Sequence, residues 1–192
     1  MKDFEGSLLE KLHDRGFAVD EISDLYNKRY NYKSAISILI GFLNPKCDPC
    51  TLEQIVRALS VKWAKPAAAS ALVRLFPQVE DESGLGLRWT IANALAVVAD
   101  DSVCEDIIRY AEDKKFGRSR EMLALALIGM KSPKVDDVLI KLLDDDDVVG
   151  HALIAIGKRR VEQARDRVEL LKSHPKAWIR KEAKKALSKM TI

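Results

Sequence analysis

The residues of this chain that could do chemistry are two closely spaced cysteines, three histidines and a run of aspartates. Cys47-x-x-Cys50 has the spacing of half a zinc site or of a redox pair. Zinc takes about four ligands, and no second Cys or His pair stands at motif spacing. A dithiol redox centre needs a βαβ setting, which the surrounding pattern does not supply. The pair is read as part of a turn between two helices, bounded by Pro45 and Pro49. His13, His151 and His174 are too scattered for a metal motif. His151, within VVGHALIAIG, is expected to be a hydrogen-bonded histidine at the edge of the core. The four aspartates at 144–147 invite a calcium loop. Counted from Asp144, however, the sixth and twelfth places hold Val149 and Ala155, where an EF-hand requires Gly and Glu. The run reads instead as a solvated turn whose acids cap helices, with Asp147 as the N-cap of the helix that follows. Gly84-Leu85-Gly86 precedes a helix, but no strand leads into it and the phosphate-loop lysine is missing. The expectation is no catalytic residue, no metal and no cofactor.

The bulk properties agree with a folded chain without special chemistry. Its 192 residues suit one domain or one short array. Apolar residues make up 47% and charged residues 32%, which excludes the disordered and membrane-embedded classes. The net charge of +3 is too small to imply nucleic acid by itself. No apolar run approaches the roughly 18 residues of a membrane span. The opening MKDFEGSLLEKL lacks the apolar core of a signal peptide. An odd cysteine count argues against a disulfide framework. A cytoplasmic protein without membrane association is expected.

A repeat organises the elements. Ala-Leu or Ala-Ile pairs recur at Ala58-Leu59, Ala94-Leu95, Ala126-Leu127, Ala155-Ile156 and Ala186-Leu187, 29 to 36 residues apart. Seven residues before each alanine stands Thr51, Leu87, Ser119, Val148 or Ile179, and the next residue is arginine in three copies: Arg88, Arg120 and Arg180. Between these segments lies a second amphipathic type, such as VDDVLIKLLDD from Val135 and PAAASALVRLF from Pro66. Apolar residues recur in it at helical intervals, and strand-like alternation is scarce. The alanines allow close approach of neighbouring helices. A lone hairpin could not bury its apolar face, whereas stacked hairpins share one continuous core.

This pattern resembles the HEAT repeat, in particular the HEAT-like type of the phycobilisome lyases, whose inner helix reads Val-Arg-x-x-Ala-Ala-x-Ala-Leu-Gly. Leu87, Arg88, Ile91, Ala92, Ala94 and Leu95 match it, as do Ile179, Arg180, Ala183, Ala186 and Leu187. Val148, Ala152, Ala155, Ile156 and Gly157 match a further copy, in which Val149 replaces the arginine. The resemblance implies an all-α fold, a right-handed α-α superhelix or α-solenoid of the armadillo-like kind. About five helix pairs are expected over residues 32–192, after a capping segment of short helices at 1–31. It also implies that the arginines pair with polar groups of an adjoining repeat.

In the family the inner helices line the concave, binding side. If the first, fifth, eighth and ninth pattern positions face the core, the third, sixth, seventh and tenth lean outward. These are Trp89, Ala92, Asn93 and Ala96 in one copy, and Glu121, Ala124, Leu125 and Ile128 in the next. Gly150, Leu153, Ile154 and Gly157 follow, then Lys181, Lys184, Lys185 and Ser188. The expected binding residues are Trp89, Asn93, Glu121, Leu125, Ile154, Lys181, Lys184 and Lys185. Trp178 lies just ahead of its pattern and is assigned to packing between helices. From Lys158 onward there are 12 basic and 4 acidic residues, a net +8, while the remainder carries 20 against 25, a net −5. The expected function is a non-catalytic protein-binding scaffold. The alternative is a nucleic-acid binder or base-excision enzyme like the HEAT-type alkylpurine glycosylases. There Trp89 or Trp178 would touch bases, Glu121 would be the carboxylate and the C-terminal lysines would meet phosphates.

Overall fold

A computed structural model describes residues 4–28, 30–82 and 85–190. Every regular element among them is helical. The chain divides into two compact units, Met1–Val103 and Cys104–Ile192.

The first unit contains α1 (Phe4–Asp14), α2 (Asp24–Asn27), α3 (Ile36–Gly41), α4 (Pro49–Leu59), α5 (Ala67–Leu75) and α6 (Leu87–Val98). The start of α4 follows from local chemistry. Asp48 holds the N-cap and accepts from the Thr51 amide at 2.8 Å, and Pro49 supplies the fixed φ of the first helical residue. Cys50 sits in that first turn and is exposed, while Cys47 is in the loop ahead of it. Apolar residues at helical spacing, including Leu52, Ile55, Val56 and Leu59, give α4 a buried stripe that packs against α6. Each fully buried Leu or Ile contributes about 1.5–3 kcal/mol relative to exposure. The opening segment joins the core of the unit: Leu8, Leu12, Ile22 and Leu25 are fully buried, with α1 packed on α3 and α2 on α4. Tyr32 closes the C-terminus of α4 by donating its hydroxyl to the Ala58 carbonyl at 3.0 Å.

The second unit contains α7 (Cys104–Glu112), α8 (Arg120–Ala126), α9 (Lys134–Lys141), α10 (Val149–Arg159), α11 (Arg165–Leu170) and α12 (Ala177–Met190). Three of these, α8, α10 and α12, carry the alanine pattern. α10 packs against both α8 and α12, and α7, α9 and α11 each support one of the three. The approach of α12 to α10 is very close. A Cβ on Gly157 would lie 2.8 Å from the Ala186 Cα, so any side chain there would strike backbone. A Cβ on Gly150 would overlap the indole of Trp178.

The turn before α10 differs from the sequence expectation. Val148 holds the N-cap, with no side-chain bond, and Asp147 does not cap. Asp145 organises the turn instead. Its carboxylate accepts from the Asp147 amide at 3.1 Å and from Arg120 Nη1 at 2.8 Å. Arg120 is only 1% exposed, and a buried guanidinium requires a close carboxylate, which fixes where the four aspartates fold.

Candidate functional site

The three pattern arginines are structural clamps. Arg88 donates to the carbonyls of Phe76, Val79 and Asp81. Arg180 donates to those of His174 and Pro175, at 2.8 and 2.7 Å. Both guanidiniums thus close the loop ahead of their own helix. Arg120 does the same through Gly117 at 2.9 Å, and it also reaches acids of the following turn, Asp145 and Asp147. Arg159, which the pattern did not single out, caps the carbonyls of Ile128 and Met130 and pairs with Asp136 at 2.6 Å.

With backbone and arginines satisfied, the accessible inner-helix surface is decided by pattern position. The seventh position is half-buried at Asn93, Leu125 and Ile154 and exposed at Lys185. Trp89, at the third position of α6 and one turn before Asn93, is also half-buried. The sixth position, expected to lean outward, does not: Ala92, Ala124 and Leu153 are fully buried. In the second unit the reason is the neighbour. α10 covers the flank of α8, and α12 covers that of α10. Lys184 holds the same position on α12, where no described helix packs, and it is exposed. Gly150 and Gly157 are likewise covered by α12 rather than open.

Glu121 is buried as well, at 5% exposure, although the pattern places it outward. Its carboxylate is held by Arg118 Nε at 2.8 Å and faces His151 Nδ1 at 3.9 Å. That nitrogen has no hydrogen-bond partner among the described residues. Burial pushes the His151 pKa below its ordinary 6.5, the Glu121 charge pulls upward against it, and Arg118 adds to the lowering. His151 meets the edge of Trp178 at 6.1 Å between ring centroids. Trp178 therefore packs between α10 and α12 by resting on Gly150, yet it keeps 45% of its surface open. The contact of Glu121, His151 and Trp178 joins residues about 30 and 27 positions apart, a distance the repeat period accounts for. The first unit has a counterpart: Thr90 donates its hydroxyl to Glu53 Oε1 at 3.4 Å, from the same pattern positions as His151 and Glu121.

The structure thus gathers Glu121, Leu125 and Ile154 with the α12 lysines on the inner helices of the second unit. Trp89 and Asn93 share α6 in the first. Lys181, Lys184 and Lys185 are all exposed, and Lys185 bonds Glu182 at 2.6 Å. No group of three or more His, Cys, Asp or Glu among the described residues is placed to hold a metal ion. No described helix is long and apolar enough to cross a membrane.

No protein-family model matches the chain, and no curated protein does. Among solved structures, the crystal structure of an engineered protein aligns with a TM-score of 0.52 and 18% identity, covering 99% of this chain and 97% of that one. A designed armadillo repeat protein in complex with the peptide (KR)4 aligns with a TM-score of 0.49 and 17% identity, over 98% and 89% of the two chains. The first likeness shows the fold and nothing of the activity: the chain is an all-α helical repeat protein of the α-solenoid class.

Proposed function

We propose that the chain is a non-catalytic protein-interaction module that takes its partner on the exposed side of its inner helices. One observation carries the reading. Large apolar side chains stay half-open on inner helices that bury most of their apolar residues: Trp89 at the third pattern position in the first unit, and Leu125 and Ile154 at the seventh in the second. Such residues gain free energy only when another surface covers them, and tryptophan is a frequent anchor of protein interfaces. The binding residues are Trp89 and Asn93 in the first unit, and Leu125, Ile154, Lys181, Lys184 and Lys185 in the second. Glu121 contributes by holding Arg118 and facing His151. The finer assignment belongs to the same proposal: HEAT-like units, about five helix pairs over 32–192 after a capping segment at 1–31, in a cytoplasmic protein.

The test is affinity capture from the native cell with the intact chain and with a Leu125→Glu, Ile154→Glu double variant. A protein partner retained by the first and lost by the second, at unchanged helicity, supports the reading. Equal capture by both defeats it. Nucleic-acid binding is the alternative, favoured by the exposed lysines of α12. Submicromolar, steeply salt-dependent binding of random duplex DNA would select it.

A further inference from the structure

On the inner helices of the second unit the apolar and charged residues follow a definite order. Helical spacing places Ile154 and Lys158 one turn apart on α10, and Trp178, Lys181, Lys185 and Lys189 along one side of α12. Leu125 and Ile154 form the half-open apolar strip, and Trp178 adds its exposed face. Lys158 and Lys189 are exposed and form no ion pair among the described residues. They are also brought close together. The place a Gly157 Cβ would occupy is 3.6 Å from Lys189 Cδ, so the lysine stem of α12 crosses to the turn of α10 that carries Lys158. The acids of this side are already engaged: Glu121 by Arg118, and Glu182 by Lys185. An apolar strip bordered by like charges without counter-charge is complementary to one kind of ligand.

We propose that this face docks an acidic amphipathic peptide segment. Its apolar side chains cover Leu125, Ile154 and the open face of Trp178, and its carboxylates meet Lys158 and Lys189. The proposal rests on the protein-binding reading above and specifies the partner's chemistry. A helix-in-groove ligand of this type presents apolar anchors at i, i+3, i+4 and i+7, with acids flanking them.

The test uses the full chain and a fluorescein-labelled peptide of leucine and glutamate at helical spacing, about four turns long. Its lysine-for-glutamate and serine-for-leucine counterparts and a random DNA duplex are the comparison probes. Fluorescence anisotropy at low salt is expected to show the leucine-glutamate peptide binding at least about tenfold more tightly than either counterpart. Ile154→Ser and the double variant Lys158→Glu, Lys189→Glu are each expected to weaken it by about tenfold or more, and Lys62→Glu in the first unit to leave it unchanged. Circular dichroism confirms that each variant keeps its helicity, and these exposed or half-exposed sites allow that. Equal binding of the acidic and basic peptides, tighter binding of the duplex than of the acidic peptide, or indifference to the lysine reversals would each overturn the proposal. If the acidic peptide fails while a cellular partner is still lost with the Leu125 and Ile154 variant, the interaction module stands and this choice of ligand falls.

Discussion

The α4–α6 pair and the α10–α12 pair are built from the same sequence pattern, and they pack in different ways. Between α4 and α6 the side chains fill the gap. Leu52, Ile55 and Ile91 are fully buried, and Thr90 reaches across to Glu53. Between α10 and α12 the gap nearly vanishes, because Gly150 and Gly157 present bare backbone to Trp178 and Ala186. Interdigitated side chains can shift by a rotamer, whereas backbone in contact with backbone cannot yield. One repeat therefore supports both an adaptable joint and a rigid one, and the choice lies with two glycines.

The contrast can be tested from the arginines outward. Arg120→Met is expected to cost about 3–5 kcal/mol, because it leaves the Asp145 carboxylate, 12% exposed, beside an apolar stem. Arg88→Met in the first unit loses the bonds to the Phe76, Val79 and Asp81 carbonyls and is expected to cost about 1–3 kcal/mol. Urea denaturation of the two variants gives the comparison, and equal losses would remove the distinction. Asp145 adds a pH signature. Burial raises its pKa, but hydrogen bonds from Arg120 and the Asp147 amide outweigh that and hold it below the ordinary 3.8. A carboxylate depressed in the folded state contributes stability above its unfolded pKa and loses it as the pH falls through the folded value. The intact chain should therefore lose stability below about pH 4 more steeply than the Arg120→Met variant.

Next in size is Gly157→Val, expected to cost about 3 kcal/mol because its side chain meets the Ala186 backbone. The equivalent Ala96→Val on α6, at a half-open position, should stay within about 0.5 kcal/mol. Similar melting temperatures for the two variants would mean that α12 is free to move away. Gly150→Ala should cost less, about 1–2 kcal/mol, since an indole can tilt where backbone cannot. Its distinctive readout is a red shift of tryptophan emission as Trp178 leaves its seat.

A smaller effect separates the two cross-repeat contacts. Burial depresses the His151 pKa, with the Glu121 charge opposing. Its stability contribution is thus complete above the ordinary value of 6.5 and declines as the pH falls below it. The melting temperature should drop slightly from pH 7 to pH 5, and His151→Gln should flatten the drop. Thr90 has no titrating proton in that interval, so Thr90→Val should leave the slope unchanged. Least affected in stability is Trp89→Ala. It is expected to weaken partner capture while barely moving the melting temperature. A fall of many degrees would place the indole in the core.

Much of this was legible in the residues. Period and helix type were carried by the Ala-Leu pairs, because small residues at fixed places are what close stacking requires. The half-open state of Trp89, Leu125 and Ile154 agrees with a phase read from the first, fifth, eighth and ninth positions. Burial of the sixth position is not legible in a single copy, because another repeat produces it. A wheel drawn for one helix has no information about what lies beside it. Glu121 was placed outward for the same reason, and its partners Arg118 and His151 lie outside its own pattern or in the next copy. Asp147 looked like a cap because N-cap preference is local, but the demand that placed Asp145 comes from a guanidinium 25 residues earlier.

The indole of Trp178 occupies the volume that a side chain at residue 150 would need. The two codons are therefore not free to drift separately. In any related chain that acquires alanine or a larger residue at 150, the ring at 178 should already have shrunk or swung away, and wherever the ring persists the glycine should persist too. A family of such sequences, once aligned, would carry that coupling as a correlated pair of columns, and a lineage holding both a bulky 150 and a seated tryptophan would show that α12 can settle elsewhere.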